Sequence, residues 1–193
     1  MKKIVCITGG MGSGKSTVAG LLLEAGFAVY NSDARAKELM LEDPVRKEIK
    51  QLLGASAYLD DGSLNKQFLA DQIFTYPGKK NSLEAIVHPA VRADFEFWLT
   101  RTNGPVVFKE SALTLEKGDA SCTSILLVDC PVHIRFKRIQ QRNPDWSIEA
   151  IQARLGHQLS DVQRRNSGAI LLDNSGSLEA LKESLDQALA KCI

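Results

Sequence analysis

The eight residues Gly9-Gly10-Met11-Gly12-Ser13-Gly14-Lys15-Ser16 constrain this chain more than any other segment. They follow a short apolar run, Ile4-Val5-Cys6-Ile7, and lead into a helix-forming one, Val18-Ala19-Gly20-Leu21-Leu22-Leu23. Glycines at that spacing, closed by Lys-Ser and set between a strand and a helix, make the P-loop pattern. The glycines Gly10, Gly12 and Gly14, with Met11 and Ser13 between them, let backbone N–H groups turn inward around phosphate oxygens. The helix N-terminus adds its partial positive charge. Lys15 reaches the outer phosphates, and the Ser16 hydroxyl is a ligand for Mg²⁺. The pattern therefore predicts a nucleotide-phosphate site using ATP and Mg²⁺.

Further short apolar runs read as strands at Phe27–Tyr30, Pro105–Phe108, Ser124–Asp129 and Ala169–Leu172, punctuated by Asn103-Gly104 and Asp173-Asn174-Ser175-Gly176. Short continuous apolar runs separated by helical patterns predict a buried parallel sheet covered by helices. The fold class expected is α/β, a five-stranded parallel sheet of the P-loop type flanked by helices. Residues 33–101 interrupt the alternation with helical segments near 33–53, 65–75 and 80–101 and a turn at Asp60-Asp61-Gly62. Such an insertion suits a helical cap on the carboxyl edge of the sheet, where α/β proteins bind ligands. A basic stretch, 143–166, reads as a lid. The expected single domain thus has a core of about 1–32, 102–142 and 167–193, a substrate-binding insertion of about 33–101, and the lid.

Charge narrows the partners. The chain of 193 residues carries 24 Lys and Arg against 23 Asp and Glu, so no global field favours nucleic acid or a membrane surface. No apolar run approaches the roughly 20 residues that span a bilayer. The first strand begins too near Met1 for a signal peptide, which points to a cytoplasmic protein. Cys6, Cys122, Cys130 and Cys192 are scattered, as are His88, His133 and His157, and form no metal-ligand spacing. Cys6 and Cys130 read as small buried hydrophobes.

Asp33 falls just past the second strand, where a carboxylate could orient an acceptor hydroxyl and take its proton. The plainer role is an N-cap for the helix beginning at Ala34. Glu110 ends the third strand and could support Mg²⁺ through water, as Walker-B acids do. Asp129, ending the fourth, competes with it, and Glu110 is favoured. Arg138 and Arg142 lie four residues apart and can share a helix face. Arg142, placed just before Asn143-Pro144-Asp145, is the stronger candidate for stabilising charge during transfer. His88-Pro89 reads as a turn.

Taken together, these parts make a chain that resembles the dephospho-CoA kinase family over nearly its whole length. The resemblance rests on Ile7 through Thr17, on Val29-Tyr30-Asn31-Ser32-Asp33, on Val87-His88-Pro89, on Glu110 through Gly118, on Arg138 through Arg142, and on Leu172 through Gly176. It implies transfer of the ATP γ-phosphate to the ribose 3′-hydroxyl of dephospho-CoA, giving CoA and ADP. It implies Asp33 as the base, Lys15 on the phosphates, Ser16 on magnesium and Arg142 from the lid. Thr17 joins the nucleotide-binding set, and Asn174 and Gly176 lie near the adenine. Asp33, His88, Leu113 and Glu116 are the residues expected against the acceptor. The family often has two acids flanking one residue where this chain has Asn31-Ser32-Asp33, so only the second is kept. The readings left beside it are another nucleoside or nucleotide kinase and a nucleotide-dependent binding module. A GTPase would need Asn-Lys-x-Asp, and Asn65-Lys66-Gln67-Phe68 lacks the acid.

Overall fold

The computed structural model describes residues 2–192, with the side chains of all of them but Phe74 and Pro77. Two compact units emerge, one running up to Asn31 and resuming at Asn103, the other Ser32–Thr102.

The first unit holds five parallel strands, β1 Lys3–Thr8, β2 Ala28–Asn31, β3 Val106–Glu110, β4 Ser124–Asp129 and β5 Ile170–Asp173. Their order in the sheet is β2-β3-β1-β4-β5. β1 is central, and Val5, Cys6 and Ile7 are fully buried. A central parallel strand covered on both faces cannot alternate polar and apolar residues, which is why it reads as a continuous apolar run. Its register sets Ile7 against Glu110 on one side and Thr8 against Leu127 on the other.

Helix α1, Lys15–Glu24, returns the chain from β1 to the edge strand β2. Gly26 ends it at φ 85°, with its N–H on the Leu23 carbonyl and the Phe27 N–H on Leu22. This left-handed cap satisfies two end carbonyls at once, and only glycine adopts it cheaply. It also turns Phe27 into the core, where its ring meets Phe108 edge-on at 5.2 Å. Val18, Leu22, Phe108, Leu126, Leu172, Leu181 and Leu185 fill the same core, the last two from α10, Leu178–Cys192. Between β3 and β5 come α6 Thr114–Lys117, α7 Val132–Arg142, α8 Ile148–Gly156 and α9 Asp161–Arg165.

Cys6 and Cys122 are joined by a disulfide. This corrects the reading of Cys6 as a lone buried hydrophobe. The partner comes from the turn before β4, 116 residues away, and no local spacing announces the pairing. Cys130 and Cys192 remain buried thiols, and burial pushes both above the ordinary thiol range despite the nearby Arg138 and Arg135 at Cys130.

The second unit comprises α2 Ser32–Leu39, α3 Val45–Leu53, a short 3₁₀ turn at Ala55–Ala57, α4 Lys66–Thr75 and α5 Pro77–Arg101. The helix expected across 33–53 is broken in two. Pro44 lacks an N–H and disfavours a helical residue before it, and the Asp43–Pro44 bond is cis. A second correction concerns His88-Pro89, which lies inside α5 and makes no turn. An interior proline costs a helix about 3 kcal/mol. Here Leu83, Val87, Val91 and Phe95, spaced by four, form one buried face that offsets it. Arg35 of α2 grips Asp94 of α5 through two bonds, Nε at 3.0 Å and Nη2 at 2.6 Å. Hydrogen bonds to Asp94 and Glu38 hold its guanidinium firmly charged.

Candidate active site

At the carboxyl end of β1 the chain turns through Gly9–Gly14 into α1. Gly14 takes φ 98°, and a side chain there would collide with the amide of Asn174. Asn174 is buried and donates its Nδ2 to the Ser13 carbonyl at 2.6 Å, so it braces the loop from behind. Having no side chain, Gly14 leaves the first N–H groups of α1 without a side-chain cap. That is the arrangement that receives an anion. Lys15 Nζ donates to the Gly9 and Gly10 carbonyls at 2.8 and 3.3 Å, which lays the ammonium across the loop mouth. Ser16 and Thr17 are exposed in the first turn.

A cleft of about 230 Å³ opens beside this loop, lined by Gly14, Thr17, Arg138, Asn174, Gly176, Ser177, Leu178 and Leu181. One wall is apolar, one carries a guanidinium, and the floor is the loop itself. Such a cleft suits a flat heteroaromatic ring joined to a phosphate chain. Thr17, Asn174 and Gly176, which the family resemblance implied for the nucleotide, line the same cleft as Gly14. Arg138 is the arginine of α7 that lines the cleft; Arg142, one turn on, is exposed.

The other side of the loop is walled by charge. Arg135 of α7 and Arg164 of α9 are both buried, and both donate to Asp161, Arg135 at 2.6 Å. Their guanidinium groups lie against Gly10, and a Cβ there would sit 2.5 Å from Arg135 Nη1 and 3.0 Å from Arg164 Nη2. Met11 N–H donates to Gln158 Oε1 at 2.8 Å. Sequence reasoning passed over Gln158 and Asp161. Neither stands out by type or spacing, and only the fold shows what they touch. The stretch 143–166 expected to be a lid is thus tied to the loop at its α9 end.

Glu110 and Asp129 are distinguished by their partners. Glu110 is buried at the end of β3 and accepts from Asn31 Nδ2 at 2.7 Å. Asp129 ends β4 and accepts from Arg165 Nε at 2.8 Å. Leu113 is exposed at the start of α6, and Glu116 is half-buried on it.

In the second unit Asp33 is exposed in the first turn of α2, inside the helix rather than capping it from outside. An acid there is favoured by the helix dipole. His88 is exposed on α5. Among the described residues one group of possible metal ligands comes together, Cys6, Cys122 and Asp119. Its sulfurs are bonded to each other, and Asp119 holds Lys109 Nζ at 2.7 Å, so it is not a metal centre in this state.

A family model described as Dephospho-CoA kinase matches residues 3–180. A dephospho-CoA kinase of Salinibacter ruber is 38% identical over 181 residues, covering 91% of this chain and 90% of its own. One of Thermus thermophilus is 36% identical over 189 residues, covering 97% and 91%. A crystal structure from Thermus thermophilus superposes with a TM-score of 0.87 at 35% identity, covering 100% of this chain and 98% of that one. The matched span reaches from β1 through the phosphate loop and cleft into α10, and the chain belongs to the dephospho-CoA kinase family.

Proposed function

We propose that the protein transfers the γ-phosphate of ATP to the ribose 3′-hydroxyl of dephospho-CoA, releasing CoA and ADP. The observation that carries this reading is the uncapped helix N-terminus under Lys15, opening into the cleft lined by Arg138, Asn174 and Gly176, in a chain of this family. The triphosphate lies along the phosphate loop and the uncapped first turn of α1, and the adenine lies in the cleft.

In the transfer the 3′-oxygen bonds to the γ-phosphorus while the bond to the β–γ bridging oxygen breaks. The hydroxyl proton passes to the Asp33 carboxylate, and Lys15 and Arg142 balance charge on the phosphoryl oxygens. Asp33 follows β2 by two residues, and α2 is fixed within its own unit by the Arg35–Asp94 fork. His88, Leu113 and Glu116 remain the proposed acceptor contacts. Hard oxygen donors suit Mg²⁺, and the Ser16 hydroxyl with the Glu110 carboxylate fit it. When bound there it neutralises the β- and γ-oxygens. Glu110 is the acid proposed for this role; Asp129 accepts from Arg165. A cytoplasmic location belongs to the same reading; no helix among the described residues is long and apolar enough to cross a membrane.

The test is ADP release from Mg-ATP with and without dephospho-CoA, with the product identified by mass and by NMR of the ribose. Strong stimulation and a new 3′-phosphate are expected. Stimulation by a nucleoside or nucleotide in its place would reassign the acceptor. ADP release indifferent to any acceptor would leave a nucleotide-dependent binding module.

A further inference from the structure

We propose that Gln158 is a positioning residue for the phosphate loop, fixing the Gly10–Met11 peptide in the orientation that receives the triphosphate. The peptide needs such a hold. Glycines at 9, 10 and 12 surround it, and glycine rotates about its backbone bonds at little cost. A flip would turn the Gly10 C=O away from the Ser13 N–H and the Lys15 ammonium and set the Met11 N–H against that ammonium. The structure pins both ends of this peptide. Its C=O accepts from Ser13 N–H at 3.1 Å and Lys15 Nζ at 3.3 Å. Its N–H donates to Gln158 Oε1 at 2.8 Å. The C=O bonds are local, whereas the N–H bond comes from 147 residues away.

Gln158 can hold a fixed point because the chain around it is itself anchored. It follows the end of α8, and its own N–H returns to the Leu155 carbonyl at 3.2 Å. Three residues later Asp161 is gripped by the buried Arg135 and Arg164. Ser160 and Gln163 form a reciprocal capping box that sets the start of α9. A neutral amide is also the right chemistry. A carboxylate would hold the N–H as well, but it would place a negative charge beside the incoming phosphates.

This inference rests on ATP binding at the loop and does not depend on the acceptor. The test therefore uses the chain without dephospho-CoA. Amide-resolved hydrogen exchange without nucleotide is compared in wild type, Gln158→Met and Gln158→Glu, together with equilibrium ATP binding. Met keeps the length and removes the acceptor, and Glu restores the acceptor. In Gln158→Met the Met11 amide should exchange at least about tenfold faster, and the Kd for ATP should rise roughly five- to tenfold, the range a lost net hydrogen bond gives. In Gln158→Glu the Met11 protection should return while ATP binding stays weak and becomes more salt-sensitive. Gln158→Ser, too short to reach, carries the expectations of Met should that variant fold poorly. Unchanged Met11 exchange in the folded variant would overturn the proposal. So would faster exchange with unchanged ATP affinity. Failure of wild type to bind ATP would instead overturn the nucleotide reading, and the exchange arm would still report whether Gln158 holds the peptide.

Discussion

β3 and β4 lie on opposite sides of β1, and each ends in a carboxylate, yet the two carboxylates meet different partners. Glu110, on β3, is buried and meets the neutral amide of Asn31. Asp129, on β4, meets the guanidinium of Arg165, which hydrogen-bonds to it and is itself held charged by that contact. Its charge is used to dock α9. The β4 end is therefore fastened to α9, whereas the β3 end meets an amide from the neighbouring strand β2.

The comparison breaks most readily at its two acids. Glu110→Gln keeps the shape and an acceptor for Asn31 but removes the charge, and kcat should fall roughly a hundredfold with a higher Mg²⁺ requirement. Asp129→Asn should stay within a few-fold of wild type in the same assay. Equal losses in the two variants would erase the distinction. Next comes the amide. Asn31→Ala leaves a buried carboxylate short of a donor, and denaturant unfolding should show a loss of about 1–3 kcal/mol. Smaller is the effect of Arg165→Ala, because that side chain is 44% exposed. Exposed pairs give at most about 1 kcal/mol, so a larger loss of stability would mean α9 hangs on this contact alone.

A pH-dependent effect lies one residue before Glu110. Neighbouring strand residues face opposite sides of a sheet, and there Lys109 pairs with Asp119. Burial raises the Asp119 carboxyl, but hydrogen bonds from Lys109 and Ser121 outweigh it and hold the group below its ordinary range. A depressed carboxyl contributes stability above its unfolded pKa of about 3.9 and loses it as pH falls through the lower folded value. Thermal unfolding of Lys109→Met should therefore diverge from wild type near neutral pH and converge with it in strong acid.

All five strands and the loop were legible in the sequence, because a buried parallel strand needs an unbroken apolar run and a phosphate loop needs its glycines. Local chemistry also marked Asp33, Arg138 and Arg142 as candidates, and the family resemblance added Asn174. What escaped was long-range. Asn31 and Arg165, the partners of Glu110 and Asp129, are connected to them by no periodicity. The Cys6–Cys122 bond, the Asp161 hub and Gln158 escaped for the same reason. Two misreadings were local and came from proline. Pro44 divides what periodicity joined, whereas Pro89 is carried through a helix whose buried face is strong enough to keep it.

Asn174 has a consequence for how the molecule comes into being. Its amide props the Ser13 carbonyl across 161 residues of sequence. A chain is synthesised from its N-terminus at roughly 5–20 residues per second, so that brace emerges on the order of ten to thirty seconds after the loop it supports. The first functional element to be made is thus among the last to be completed. A nascent chain therefore carries its glycine-rich loop unbraced until the final strand and the turn that follows it have been made.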